Sequence, residues 1–386
     1  STMDEGATFA RFRFTSDASV TSSTPASVAS GGEVEDYALT IAAATTSSLT
    51  PFSCATPTLY QVTGNLGQLR GYDLATNRFV TTGYAAAGYK YNAIGYREQD
   101  NYIYGYDPIG KTVIRVGAGG STEDLGSVAG VGINGRVGDV HPDGTLWITA
   151  ATSKTLFQID VSAATPTLLN TYTNALPVIS SDMAFSADGT KLYIVDKDTH
   201  GLFEVNMSGG TLVPNLTPLV TLTSTATLGS WGAQWATPTQ FFAYNNTSGE
   251  LHVVDLATLE ADVVAVDISA SQNDGASCRK EVLFYDFGDA PTSISSYGSV
   301  SHVIKAGVRL GDTISAETTH FDSANADGDV DDGITIPALT LGASATITAT
   351  VSGSGGYLQG WVDWNGDGDF ADSTFHMGII PIMVCL

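Results

Sequence analysis

The chain has 386 residues and a formal net charge of −24, yet only 15% of its residues are charged and 43% are hydrophobic. That balance provides apolar residues for real cores, so the acidity is that of a folded all-β extracellular module and not of a disordered acidic tail. A field of this sign repels phosphate and anionic lipid, which excludes nucleic acid as a partner; membrane insertion is excluded because no apolar run reaches the roughly 20 residues of a spanning helix.

In chain order, residues 1–45 predict two strands, GATFARFRF (6–14) and the strand that follows the acidic run GGEVEDY (31–37). Residues 46–53 form a linker, and from 54 to 280 the sequence repeats itself. VGDVHPDGTLWI (137–148) aligns with SDMAFSADGTKLYI (181–194): a short apolar strand, a turn at Asp-Gly-Thr and an aromatic strand. Each is followed by a third strand, LFQID (156–160) and LFEVN (202–206). Weaker copies are NAIGY, NYIYGY and VIRV (from 92, 101 and 113) and WGAQW, QFFAY and LHVVD (from 231, 240 and 251). A four-stranded unit recurring about every 45 residues is the signature of a β-propeller blade.

The blade count predicts how the ring closes. Four blades are complete between residues 92 and 267, while LYQV (59–62), LRGYD (69–73) and RFVT (78–81) supply three strands that lack an innermost one. DGASC (274–278) supplies it, giving five blades, the last assembled from both ends of the region. Cys54 and Cys278 bracket the region almost to the residue, so a disulfide between them is expected to fasten the seam and implies an oxidising compartment.

The innermost strands line the axis, and the repeat brings Asn92, Asp139, Asp182, Gln234 and Asp274 to near-equivalent places at its mouth. Two readings follow. Asp139, Asp182 and Asp274 are candidate acid, base or nucleophile of a glycosidase, whose paired carboxylates stand about 5 Å or about 6.5–9.5 Å apart. The alternative, which the sequence favours, is that such side chains bond neighbouring backbone amides and fix blade packing. No GxSxG, HExxH or Walker pattern is present, the six histidines show no zinc spacing, and the tyrosines between 84 and 106 read as core strand residues.

Residues 281–372 are dominated by Asp/Gly loops. WVDWNGDGDF (361–370) sets Asp363, Asn365, Asp367 and Asp369 at alternate positions with a glycine at the sixth, as in a calcium loop; Thr374 stands where such a loop has its bidentate Glu, and Asp372 is the nearest substitute. DGDVDDG (327–333) packs Asp327, Asp329, Asp331 and Asp332 so closely that a divalent cation is the economical explanation, with Asp286, Asp289 and Glu317 as further oxygen donors. Calcium is therefore the expected cofactor.

The motifs at the two ends, GATFARFRF and GGEVEDY at one, and DFGDAP (286–291), Tyr297-Gly298, His302, the Asp/Gly run and WVDWNGDGDF at the other, resemble the GEVED domain family of large bacterial secreted and cell-surface proteins. The resemblance covers roughly a third of the chain and reads in reverse, with the domain's tail first and its head last. It implies two partial β-sandwich segments flanking the propeller, either completing one sandwich or exchanging strands in a dimer. Residues 373–386, STFHMGIIPIMVCL, fit no pattern of that family, and the layout suggests a slice through a longer repetitive surface protein. The sequence thus predicts a secreted or cell-surface adhesion module, calcium-stabilised and binding a glycan or a surface protein, with a secreted polymer hydrolase as the alternative.

Overall fold

The computed structural model describes residues 6–16, 32–41, 49–370 and 380–382, apart from 65–66, 75, 86–87, 208–210, 293–296, 318, 327–332, 341–343 and 354–355. Every regular element among them is a strand. The chain divides into two compact units, Ser1–Ser48 and Leu49–Leu386. The first is a hairpin in which Gly6–Thr15 runs antiparallel to Gly32–Ile41, with Arg11 and Asp36 joined at 2.6 Å.

The second unit is built on five antiparallel sheets arranged as a five-bladed β-propeller. The second blade runs from its inner strand Asn92–Arg97 outward through Tyr102–Asp107, Thr112–Val116 and Thr122–Ser127, and the third from Gly135–Val140 through Leu146–Ala150, Leu156–Asp160 and Thr167–Tyr172. The fourth starts at Ala184–Phe185 and continues through Lys191–Val195 and Gly201–Asn206; Val213–Pro214 and Val220–Thr221 both pair with its third strand. The fifth comprises Trp231–Ala236, Gln240–Asn245, Glu250–Asp255 and Ala261–Val266. The first blade is composite. Its inner strand Asp274–Ala276 pairs with Tyr60–Thr63, which is followed by Gln68–Asp73 and Arg78–Val80. This is the closure expected from the sequence, and the Cys54–Cys278 disulfide sits at the seam with the two Cα atoms 6.0 Å apart.

The repeated Asp-Gly-Thr turns show how the local sequence makes each blade. Asp143 Oδ1 accepts hydrogen bonds from Thr145 N (2.9 Å) and Oγ1 (2.7 Å), and Asp188 Oδ1 accepts the same pair from Thr190 at 3.0 and 2.8 Å. The intervening Gly144 and Gly189 take φ of +90° and +72°, the left-handed region that glycine enters without a Cβ clash. Strand alternation then puts apolar side chains on the blade faces. The buried residues fall into five clusters, one at each blade-to-blade interface. Between the third and fourth blades, for example, Val137, Trp147 and Leu156 pack against Met183, Phe185, Leu192 and Ile194. Fully burying one such side chain contributes roughly 1.5–3 kcal/mol, so each interface is a substantial fraction of a domain's net stability.

The interface between the fifth and first blades recruits chain from beyond the ring. Val282, Phe284, Ile304, Ala306 and Ala316 share one core with Leu59, Tyr72, Phe79, Trp235 and Phe242. Polar contacts reinforce them: Lys305 Nζ lies 3.5 Å from Asp255, Arg309 is ion-paired with Asp262, and Asn77 donates to Ala316 O. The first part of the acidic region is thus continuous with the propeller core. Farther along, the described strands form two-stranded ladders, pairing Val308–Leu310 with Val351–Gly353, Ile334–Thr335 with Thr348–Ala349, and Gly356–Leu358 with Ile380–Ile382.

Candidate functional site

The five axial residues meet near the axis, but at different heights. Asn92 and Asp274 open their inner strands, Asp182 precedes its strand by two residues, Gln234 is fourth in Trp231–Ala236, and Asp139 is fifth in Gly135–Val140. Aligned on the Asp-Gly-Thr turns, Asp139 matches Ala184 and not Asp182. The expectation of near-equivalent places is corrected here: matching Asp to Asp by type slips the register by two residues, which keeps the side-chain face but moves the group about 7 Å along the strand.

Each axial side chain joins one blade to another. Asp139 Oδ2 accepts from Phe185 N in the fourth blade (2.8 Å), and its Oδ1 from Val140 N (2.7 Å). Asp182 Oδ2 accepts from Gln234 N of the fifth blade (2.5 Å) and Gly275 N of the closing strand (3.1 Å). Asp274 grips the second blade, its two oxygens accepting from Ala93 N and Ile94 N at 3.1 Å each. Gln234 Oε1 accepts from Val195 N at 3.2 Å, and Asn92 Nδ2 donates to Gln272 O at 2.9 Å. The inner strands come so close that a Cβ on Gly95 would lie 2.0 Å from Val140 N.

Burial sets the electrostatics. Asp182 and Asp274 are wholly buried, and their carboxyl groups hydrogen-bond to each other. Loss of water raises both pKa values well above the carboxylate range. Burial also pushes Asp139 up to about 6, against the opposing charge of Arg279. Two carboxyls in direct contact are closer than either glycosidase separation and leave no space for a glycosidic oxygen or a water between them. With their oxygens occupied by backbone amides, Asp139, Asp182 and Asp274 are arranged as inter-blade ties.

At the end of the axis where the inner strands finish, a small cleft of about 10 Å³, room for about one water, is lined by Asp139, Phe185, Gln234, Trp235, Ser277 and Arg279. Arg279 Nη2 lies 3.6 Å from Asp139 Oδ2. Sequence reasoning found Asp139 and Gln234 but missed Arg279, Trp235 and Ser277. The available signal was a charged residue immediately after Cys278, where the closing strand is pinned inside the ring.

The Asp363–Asp369 loop lies elsewhere on this unit. Asp363 Oδ1 accepts from Gly366 N (2.6 Å), while its Oδ2 accepts from Gly368 N (2.9 Å) and Tyr297 Oη (2.8 Å). Those bonds hold its pKa below the usual carboxylate range, the Gly368 amide contributing most. Asn365 Oδ1 accepts from Asp367 N (2.8 Å), and Asp369 N donates to Asp367 at 3.3 Å. The donor set is entirely hard oxygen, which suits calcium, but among the described residues no three acidic, His or Cys side chains converge as metal ligands. Asp327, Asp329, Asp331, Asp332 and Asp372 lie outside the described residues. Of the other proposed donors, Glu317 accepts from Phe287 N at 3.0 Å and Asp289 is buried.

No curated protein matches the chain. Among solved structures, similarity extends to Kuenenia stuttgartiensis hydrazine synthase (17% identity over 45% of this chain and 48% of that one, TM-score 0.32), so that the chain spans about half of that protein's length. It extends also to virginiamycin B lyase from Staphylococcus aureus (8%, 57% of this chain and 73% of that one, TM-score 0.33). A third is regucalcin from Agrobacterium tumefaciens, described as a calcium-binding protein (17%, 56% and 72%, TM-score 0.37). These distant likenesses do not bear on chemistry. A protein family described as a repeat of unknown function, DUF6923, matches residues 53–280, which is more than half of the chain and contains all five blades. The chain belongs to the DUF6923 repeat family.

Proposed function

We propose that this protein is a non-catalytic binding module of a secreted or cell-surface protein, whose propeller offers a rigid face to a glycan or a protein. The observation that supports it most strongly is axial: the acids that a hydrolase would need are buried, and their oxygens accept backbone amides of other blades and so hold the ring together. A disulfide across the seam accords with an oxidising compartment.

Calcium belongs to the same proposal. Asp363, Asn365, Asp367 and Asp369 supply hard oxygens on an exposed loop, and a bound ion would neutralise charge that the loop's amides only partly offset. The GEVED-like motifs at both ends support placement on a cell surface. The Gly6–Thr15 and Gly32–Ile41 hairpin, with Phe12, Phe14, Val34 and Tyr37 exposed, is the natural exchanging segment of a dimer, because an isolated two-stranded sheet is at best marginally stable.

The test is a glycan and protein array probed with the full chain, with and without calcium, followed by hydrolysis assays on every hit. Binding without turnover is expected. Release of shortened product, abolished by D182N, would return the hydrolase reading.

A further inference from the structure

The five blades differ in how their outermost strands are guarded. An open sheet edge presents a row of unpaired N–H and C=O groups, and charge, proline, shortness or cover keeps other chains off it. The second blade's Thr122–Ser127 carries Glu123 and Asp124. The fifth blade's Ala261–Val266 carries Asp262, which holds Arg309 and accepts from Gly307 N of the segment packed beside it. The first blade ends on only three residues, Arg78–Val80, and the fourth on the two-residue pieces Val213–Pro214 and Val220–Thr221. Thr167–Tyr172 of the third blade is six residues long, with no charge and no proline. One side pairs with Leu156–Asp160, and among the described residues no strand pairs with the other. Its bulge at Leu169 has counterparts in the outer strands of the second and fifth blades, so the bulge does not set this edge apart. Thr167, Leu169, Asn170 and Thr171 are exposed. No charged residue occurs from Val161 to Ser181, in a chain of net charge −24.

We propose that this edge is a self-association surface: two copies of the chain pair their Thr167–Tyr172 strands antiparallel across a twofold axis, joining two third blades into one continuous sheet. Charge selects the occupant. Two chains of −24 repel each other over most of their surface, and approach costs least along a segment that carries no charge. A basic partner is drawn instead to the acidic surfaces and finds no counter-charge on this strand. An antiparallel pair of identical strands is isologous, so the free N–H and C=O groups of one copy meet those of the other without a second surface having to match. The exposed Leu169 side chains come together near the middle of that ladder and lose water. An interface of one strand pair is small, which makes the dimer weak and concentration-dependent. It is separate from the hairpin exchange above and does not depend on it.

The experiment is sedimentation equilibrium of the full chain across the micromolar range, with amide hydrogen exchange of the same samples. A monomer–dimer equilibrium is expected, with the amides of 167–172 gaining protection as concentration rises. Leu169→Lys and Leu169→Glu each place like charges against each other across the twofold axis and should weaken the dimer about ten-fold or more. Mixing the two variants sets opposite charges face to face and should restore association, a rescue that a misfolded chain could not give. Phe12→Ser with Phe14→Ser, which blunts the hairpin, should leave this dimer unchanged. A chain that stays monomeric, or a dimer that L169K spares and the hairpin variant abolishes, would overturn the inference. So would a monomeric chain whose protein partner on the array is lost in L169K, which would give the edge to a strand of another protein.

Discussion

The axial acids and the acids of the Asp363–Asp369 loop are the same residue type under opposite conditions. At the axis, Asp139, Asp182 and Asp274 are buried, their pKa values are raised by loss of water, and their oxygens accept amides from other blades. On the loop, Asp363 bonds amides only a few residues away together with the Tyr297 hydroxyl, and its pKa is lowered. The difference teaches that an aspartate is read by its burial and its donors and not by its charge: buried and bonded to amides of another blade it is part of the scaffold, while exposed on a surface loop it stays within reach of a cation.

The comparison can be broken first at the seam. Replacing both Cys54 and Cys278 with Ser releases a covalent link spanning 224 residues, for which chain entropy alone gives a loss of up to about 5 kcal/mol by denaturant titration. A loss below about 1 kcal/mol would mean that the ring is closed by the axial ties alone. Next, D274A strips acceptors from the buried amides of Ala93 and Ile94 and should cost about 3 kcal/mol or more, whereas D363A in calcium-free buffer should leave the denaturation midpoint nearly unchanged. Equal losses would erase the distinction between scaffold and surface acid.

Titration sharpens it further. Asp139 has a native pKa of about 6 against roughly 3.9 unfolded, so between these values the unfolded chain releases a proton that the native state keeps. Stability therefore falls as pH rises through that window, by about 2–3 kcal/mol, and Asp182 with Asp274 continues the fall above it. Chemical denaturation of D139N should lack the pH 4–6 part of that slope; an identical slope would show that Asp139 does not hold its proton. The smallest effect is calcium itself. At a ten-fold excess over Kd it adds about 1.4 kcal/mol, a rise of a few degrees in Tm that EDTA reverses and D363N abolishes. A melting curve indifferent to EDTA would leave the loop as a hydrogen-bonded turn.

How much of the site was legible depends on the range of its contacts. The closing strand at Asp274 and the disulfide were readable because three orphan strands and two bracketing cysteines demand them. The axial residue set was also readable, since the blade period points an inner strand at the axis in each repeat. Its heights were not, because two residues of slip leave the apolar pattern unchanged. Arg279 was invisible, being recognised as a cleft residue only by its distance from Asp139, 140 positions earlier and two blades away.

The sequence by itself determined the class of fold, the number of blades and the manner of closure, because period-two alternation and Asp-Gly-Thr turns act over a few residues and repeat. Only the tertiary structure decided that Val282, Phe284 and Ile304 belong to the propeller core, that Asp182 and Asp274 are buried together with raised pKa values, and that Arg279 faces a cleft with its Nε unpaired. The reason is physical. Those facts depend on which groups lose water together, and burial is a property of the packed ring and of no single strand in it.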